Sequence, residues 1–437
     1  MRGVGISAVC LLALGVPSAG GCQSGMMFRG NAAHTGEYAG RAVEHLAGVK
    51  WRFHTGGRVI SSSAVSGGTV YVGSTDGNVY AIVAATGAER WRFATGARVT
   101  SSPAVSRGVV YFGSYDGAIY AVSAATGRLI WKVPTGGERR YAGKHLHGFL
   151  PAAETMPDAY DVFLSSPTVA GGVVYVGSGD GNVYALDART GRITWRFKTG
   201  DVVHASPAVV DGTVYVGSWD SYFYAINAAS GQLRWRFKTG EDTTIHNQVG
   251  IQSSAAVADG VVYFGCRDSK LYALDASTGT KRWAFDNHGS WVVSSPAVHQ
   301  GRVYFGTSDT GLLYALDARS GALLFSRKLV WFVFGSPAIA GDMLYVPTWD
   351  GRLTAVDLTR LTEAWVFQTD ASRRVRPTFV KADGTNNFDA AVSENFYDDL
   401  AVQIDKTYAM GSLLASPVVA DGVIYIGSAD GYLYALQ

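Results

Sequence analysis

Short hydrophobic stretches separated by turn residues repeat along almost the whole chain. Residues 166–200 are representative and read SPTVAGGVVYVGSGDGNVYALDARTGRITWRFKTG. Four runs rich in Val, Ile, Tyr, Phe and Trp are separated in this segment by Gly-Gly, Asp-Gly and Thr-Gly pairs. The pattern predicts four short antiparallel strands joined by tight turns, and no apolar spacing typical of a helix competes with it.

The same phrase returns eight times, and its most regular copies are 40 residues apart. The copies begin at Tyr71, Tyr111, Tyr175, Tyr215, Tyr263, Tyr304, Tyr345 and Tyr425. A four-stranded sheet of about 40 residues cannot bury both of its faces alone, whereas copies packed around an axis bury them against each other. The repeats therefore predict an all-β fold, an eight-bladed β-propeller of four-stranded antiparallel blades.

Prolines and the chain ends assign places to the strands. A Ser-Pro pair opens the first strand of most repeats, and Pro suits an edge strand because it cannot donate to a sheet ladder. This strand is predicted to be the innermost, and the Trp-containing strand the outermost. The last repeat ends without a Trp strand, whereas residues 49–56 (VKWRFHTG) form one without a repeat. Pairing the two closes the ring and gives one propeller domain over residues 49–437.

The repeat resembles the PQQ-like (pyrroloquinoline-quinone-type) propeller repeat. The motif Tyr-x-Gly-Ser-x-Asp-Gly-x-x-Tyr-Ala-Leu-Asp-Ala-x-Thr-Gly-x-x-x-Trp recurs in register over residues 49–437, with local departures such as Pro347 for Gly and Thr354 for Tyr. In architecture and size the chain is similar to the propeller lipoproteins of the outer-membrane β-barrel assembly machinery. That resemblance names a repeat and an architecture, and an activity must be argued from the site.

The N-terminus has the features of an export signal. Arg2 precedes an apolar run that is too short to span a bilayer, and small residues follow it, so residues 1–21 are predicted to be a signal peptide. The segment SAGGC, ending at Cys22, resembles a bacterial lipobox, although Ala19 stands where Leu is usual. We expect lipidation of Cys22, with ordinary signal cleavage as the alternative, and a tether over residues 22–48.

Charge and cysteine content narrow the function. A net charge of +2 gives no electrostatic support for nucleic-acid binding. If Cys10 leaves with the signal and Cys22 carries lipid, Cys266 has no intramolecular partner, so strand pairing must hold the fold together. We expect Cys266 to be a small buried residue.

Three insertions interrupt the repeats, all between an outer strand and the inner strand of the next blade. They cover residues 137–164, 241–252 and 370–414. In a meander this connection lies on the same face as the Asp-containing turn between the second and third strands. Loops on one face of a rigid scaffold are the usual place for binding, so this Asp-turn face is the predicted functional face.

Aromatic residues and histidines outside the repeat pattern fall on the same face. They are Trp219, Trp349, Trp291, Trp331, His145, His147, His246 and His288. Such a group suits stacking of a flat ligand or capture of a peptide, and it equally suits capping of the channel or packing of the insertions. The recurring Asp residues are interpreted as turn residues, and no metal site is predicted.

The sequence leaves two classes of function open. The first is a non-catalytic binding or assembly scaffold, without a cofactor, on the periplasmic side of the envelope. It would contact an envelope protein or peptide, and it would meet the membrane only through its lipid; a soluble periplasmic or secreted protein is the second choice. The alternative, implied by the PQQ-like resemblance, is an alcohol or sugar dehydrogenase using PQQ and calcium. Trp291 or Trp331 would then stack the quinone, and Asn247 or Asn395 would help to bind calcium, although the adjacent cysteines typical of those enzymes are missing.

Overall fold

The computed structural model describes residues 25–144, 155–240, 249–383, 385–387, 390 and 396–437. In this part of the chain, eight antiparallel four-stranded units form the blades of a propeller. Neighbouring blades meet around the axis through their innermost strands, as shown by contacts between Ala64–Ser66 and both Ala104–Ser106 and Val418–Ala420. The predicted fold and number of blades are confirmed.

Each blade is a simple meander from the axis to the rim. The inner strands are Ala64–Ser66, Ala104–Ser106, Thr168–Ala170, Ala208–Val210, Ala256–Ala258, Ala297–His299, Ala338–Ala340 and Val418–Ala420. The second strands are Thr69–Gly73, Val109–Ser114, Val173–Gly177, Thr213–Gly217, Val261–Gly265, Arg302–Gly306, Met343–Pro347 and Val423–Gly427. The third strands are Asn78–Val83, Ala118–Ser123, Asn182–Asp187, Tyr222–Asn227, Lys270–Asp275, Leu312–Asp317, Arg352–Asp357 and Tyr432–Leu436. The outer strands are Glu89–Ala94, Leu129–Pro134, Ile193–Lys198, Leu233–Lys238, Lys281–Asp286, Leu323–Lys328, Thr362–Gln368 and Val49–His54.

The ring closes by pairing the two ends of the propeller. Val49–His54 lies antiparallel to Tyr432–Leu436, with Trp51 opposite Ala435. This pairing completes the eighth blade and confirms the predicted closure. The pairing also covers the facing edges of both strands, so neither edge is open to a strand of another chain.

Adjacent blades are joined by the Trp of the outer strand. In blade three, the Trp195 indole N–H donates to the carbonyl oxygen of Ala228 in the next blade, at 2.9 Å. Gly231 lies against the Trp195 ring, with a φ of +73°, and a Cβ atom there would come within 2.7 Å of the ring. The Thr-Gly turn therefore needs Gly both for its backbone conformation and for this contact. The same pair of contacts occurs at six outer-strand tryptophans, which explains why these repeats keep both residues.

Six of the eight turn Asp residues accept the backbone amide two residues further on, as the sequence predicts. Asp76 accepts the amide of Asn78 at 2.9 Å, the hydroxyl of Tyr80 at 2.6 Å and the amide of Gly56 at 2.7 Å. Gly56 follows the outer strand of the preceding blade, so the carboxylate stabilises its own turn and also joins two blades.

Residues 25–48 lie on the face opposite the insertions. Amides of six inner strands donate to carbonyl oxygens between Gly25 and Gly36, at 2.7–2.9 Å. Phe28 lines the channel, and the fully buried Arg29 donates to the carbonyl oxygens of Pro296 and Pro337. Glu37–Tyr38 then runs parallel to the inner strand Ala338–Ala340. The segment predicted to be a tether, as far as it is described, thus closes one mouth of the channel.

The insertions carry short elements of their own. Ala142–Lys144 pairs with Thr155–Pro157, and the third insertion contains helices α1 (Asp370–Phe379) and α2 (Phe396–Tyr408). Thr369 caps α1 by accepting the Ser372 amide at 3.0 Å. No helix in the described ranges is long and apolar enough to cross a membrane.

Candidate functional site

The four candidate tryptophans lie on the Asp-turn face, and all four are buried. Trp219, Trp331 and Trp349 are 1% exposed and Trp291 is 5% exposed. His288, in contrast, has a side chain that is 91% exposed. His145, His147 and His246, with Asn247, Asn395 and Cys22, lie outside the described residues. The structure therefore gathers the indoles but leaves His288 apart from them.

Two of the tryptophans enclose an arginine. The guanidinium carbon of Arg267 lies 4.3 Å from the centroid of the Trp219 ring and 4.1 Å from that of Trp291. Arg267 is 1% exposed and donates to Asp158 and to Gln252, at 2.5 and 2.9 Å. The planar slot between the two indoles is thus filled by a side chain of the propeller itself, and its charge is balanced by a buried carboxylate.

The first insertion lies across this arrangement. Tyr141 stacks on Trp219, with ring centroids 4.4 Å apart and an interplanar angle of 10°. Tyr160 meets Trp291 edge-on at 5.4 Å, and its carbonyl oxygen accepts Gln252 Nε2 at 3.1 Å. Aromatic contacts and buried hydrogen bonds therefore hold residues 155–164 in the mouth of the channel.

A second buried polar network lies beside the first. Asp161 accepts His204 Nδ1 at 2.7 Å and the amide of Tyr141 at 2.6 Å. Glu138 accepts the Gly179 amide at 2.7 Å and lies 3.6 Å from His204 Nε2. Burial alone would lower the pKa of His204, but the two carboxylates outweigh it and raise the pKa to about 10. His204 is therefore a buried imidazolium at neutral pH, held between two carboxylates.

The third insertion covers Trp349. Tyr408 of α2 stacks on this indole at 5.2 Å and 12°, and the indole N–H donates to Thr407 at 2.9 Å. Asp350, in the same turn, accepts Arg376 of α1 at 2.7 Å. Both helices of the insertion are thus fixed to one Asp turn of blade seven.

The channel itself is narrow and lined by a ring of serines. Each ring serine stands just before an inner strand, and its amide donates to the hydroxyl oxygen of the equivalent serine in the next blade, at 2.8–3.1 Å. The ring consists of Ser62, Ser102, Ser166, Ser206, Ser254, Ser295, Ser336 and Ser416. The remaining cavity has a volume of about 40 Å³. Phe28 bounds it on one side, and Phe163, Phe334 and Leu414 are also in its wall.

Comparison with known proteins assigns the chain to a family. The sequence profile described as outer membrane protein assembly factor BamB matches residues 33–154, 147–285 and 278–395. The chain belongs to the BamB family. No curated protein sequence matches it.

Solved structures with the same fold include both BamB and dehydrogenases. BamB from Moraxella catarrhalis has a TM-score of 0.65 at 17% identity, covering 89% of this chain and 99% of that chain. A europium-containing methanol dehydrogenase has a TM-score of 0.68 at 16% identity, covering 95% and 98%. Quinohemoprotein alcohol dehydrogenase from Comamonas testosteroni has a TM-score of 0.69 at 16% identity, covering 96% and 81%. At these identities the likeness shows the fold alone.

In this BamB-family chain, the slot between Trp219 and Trp291 has no room for a stacked quinone. The slot between Trp219 and Trp291 is occupied by Arg267, and the channel cavity is far smaller than the roughly 300–1,000 Å³ of ordinary ligand pockets. The buried carboxylates Asp158 and Asp161 are engaged by cationic partners. Within the described ranges, no group of three His, Cys, Asp or Glu residues is placed to hold a metal ion.

Sequence reasoning missed the polar residues that organise this face. Arg267 occupies the same position of the Asp turn as Trp219 and Trp349, directly before the Asp. His204 and Gln252 stand two residues before a ring serine, where most repeats carry an apolar residue. At the position of His204 and Gln252, five of the other six repeats carry an apolar residue, so a polar residue there was a signal that could have found them. The position of Arg267 varies from repeat to repeat and gave no such signal.

Proposed function

We propose that this BamB-family chain is a non-catalytic binding or assembly scaffold of the bacterial cell envelope, exported and attached to the membrane through lipid on Cys22. The filling of the Trp219–Trp291 slot by Arg267 carries the proposal, because it removes the place where a flat cofactor would stack. Family membership supports it further, since the family is described as an outer membrane protein assembly factor.

The surface offered to a partner is then the Asp-turn face with its packed insertions. A scaffold needs a rigid surface whose exposed groups keep their places. Salt bridges such as Arg376–Asp350, and stacking of Tyr408 on Trp349, provide that rigidity for the third insertion. The opposite mouth is covered by residues 25–48, so the two faces present different surfaces.

Site-specific photocrosslinking in the native host tests the proposal. A photoreactive residue replaces His288 or Arg373, both exposed on the insertion side, and Leu323 on an outer strand is the matched control. We expect crosslinks to an outer-membrane assembly protein from the first two positions and not from Leu323. Absence of such crosslinks, or equal crosslinking from Leu323, would contradict the proposal. Fractionation of Cys22→Ser should show loss of membrane attachment.

A further inference from the structure

A pocket of about 250 Å³ opens at the edge of the Asp-turn face, between blade one and the first and third insertions. Its cationic wall is formed by Arg58 and Arg140, and its apolar wall by Ala159, Val402 and Ile404. It is separate from the serine-lined channel and from the Arg267 slot. Of its lining residues, Tyr408 alone has a role in the scaffold proposed above, through its stacking on Trp349.

Arg58 is fixed in place before any ligand arrives. Its amide donates to Thr75 at 2.7 Å, and its guanidinium carbon lies 4.5 Å from the centroid of the Tyr408 ring. Tyr408 in turn stacks on the buried Trp349. The guanidinium therefore lies on a rigid aromatic pair, and its side chain loses little further conformational entropy when an anion binds.

Two buried donors at the pocket lack partners. Arg140 Nε and the Tyr408 hydroxyl oxygen are both shielded from solvent and make no hydrogen bond within the part of the chain that the structure describes. Tyr408 is only 4% exposed, so its unpaired hydroxyl is costly unless something else supplies an acceptor. Arg98, close by, stacks on Tyr115 at 3.9 Å, and the hydroxyl of Tyr115 is also buried without a partner.

The charges facing the pocket favour an anion. Arg58, Arg98 and Arg140 are all close enough to Tyr408 to oppose the effect of burial, which raises the pKa of this phenol. The acidic residue on the rim is Asp405, which is paired with Arg58 at 2.9 Å and is 66% exposed. Two further carboxylates in the vicinity, Glu138 and Asp161, flank the imidazolium of His204. Among the described residues, neither Arg98 nor Arg140 forms a salt bridge, and of these two only Arg140 lines the pocket.

We propose that this pocket binds a carboxylate attached to a short apolar group. The fork of a guanidinium matches the two oxygens of a carboxylate, and the unpaired tyrosine hydroxyl adds a donor. Ala159, Val402 and Ile404 would cover a group of a few carbons, as in the last residue of a peptide or a small free acid. The proposal goes beyond the scaffold function and does not depend on it.

Equilibrium titration of the full chain, followed by ligand-observed NMR, tests this site. The probes are N-acetyl-leucine, hexanoate, N-acetyl-leucinamide and inorganic phosphate. We expect N-acetyl-leucine or hexanoate to bind with a dissociation constant of about 1 mM, and the neutral amide and phosphate to bind at least about 10-fold more weakly. Preference for N-acetyl-leucine would identify a peptide C-terminus as the ligand, and preference for hexanoate a free acid.

Variants locate the binding. Arg140→Gln should weaken carboxylate binding about 10-fold or more, because a charge-assisted hydrogen bond is lost. Arg92→Gln is the control, since Arg92, like Arg58, is paired with a carboxylate and lies over a tyrosine, but on the outer strand of blade one, away from the pocket. Val402→Asp adds a negative charge at an exposed position, so it should abolish binding without affecting folding. Binding of the amide or of phosphate as tight as that of the carboxylates, no binding at all, or binding unchanged in both pocket variants would overturn the proposal.

Discussion

Asp158→Asn tests whether the first insertion is held in the channel mouth by its buried ion pair. The substitution keeps the shape of the side chain and an oxygen that can still accept the Tyr160 amide, but it leaves the Arg267 guanidinium buried without a counter-charge. Removing one member of a buried pair typically costs about 3–5 kcal/mol. Gln252 and the two indoles still contact the guanidinium, so we expect the lower end, about 3 kcal/mol.

Two measurements follow the effect of this substitution. Urea unfolding gives the change in the free energy of unfolding, and hydrogen exchange of residues 155–161 shows whether the insertion opens locally. A loss of about 3 kcal/mol from the local stability corresponds to about 100-fold faster exchange if only the insertion opens. The amide of Asp158, which donates to the Tyr141 carbonyl oxygen, reports it directly.

Asp275→Asn is the matched control. Asp275 pairs with Arg282 at 2.8 Å, but the side chains are 28% and 41% exposed. An exposed pair contributes at most about 1 kcal/mol. If Asp158→Asn costs no more than this control and leaves exchange unchanged, the reasoning about the buried pair is refuted. The double variant Asp158→Asn with Arg267→Met should recover part of the loss, because it removes the uncompensated charge.

Three further predictions concern the rest of the ring. The pKa of His204 is about 10 in the folded protein, against an ordinary value of 6.5. The stability that its charge contributes is therefore complete below pH 6.5 and disappears as the pH rises to 10. Urea midpoints should fall across this range in the wild type, and His204→Gln should lose this pH dependence. Gly231→Ala forces a Cβ atom against Trp195 at positive φ, so thermal and urea unfolding should show a loss of about 1–3 kcal/mol, and an unchanged midpoint would contradict the proposed contact. Ser206→Ala leaves the Ser166 amide without its acceptor, which should cost about 1–3 kcal/mol in urea, whereas a neutral result would mean that the serine ring does not stabilise the fold.

The architecture could be predicted from the sequence because the information repeats in register. Pro at the start of the inner strand and Trp in the outer strand fixed the order of strands within a blade, and the unpaired strand at Val49–His54 fixed the closure. Each inference rested on local rules for edges, turns and alternation, which hold wherever a repeat is regular.

The candidate site was predicted only in part, because its contacts join residues that are distant in sequence. Trp219 and Trp291 could be placed on the correct face, but nothing local indicates that Arg267 would stand between them or that Asp158 would reach it from an insertion. The packing of residues 25–36 against six inner strands was likewise invisible, since those residues hydrogen bond mainly through backbone carbonyl groups that carry no sequence pattern.

Titration of the full chain with PQQ and calcium tests whether this propeller is a scaffold without a cofactor. Calorimetry would measure binding, and an artificial electron acceptor would report oxidation of alcohols or sugars, with Arg267→Ala as a variant in which the slot is emptied. We expect no stoichiometric, calcium-dependent binding and no dye reduction by the wild type, because Arg267 fills the space between Trp219 and Trp291. Tight one-to-one binding accompanied by dye reduction would contradict this expectation and would make this propeller a dehydrogenase.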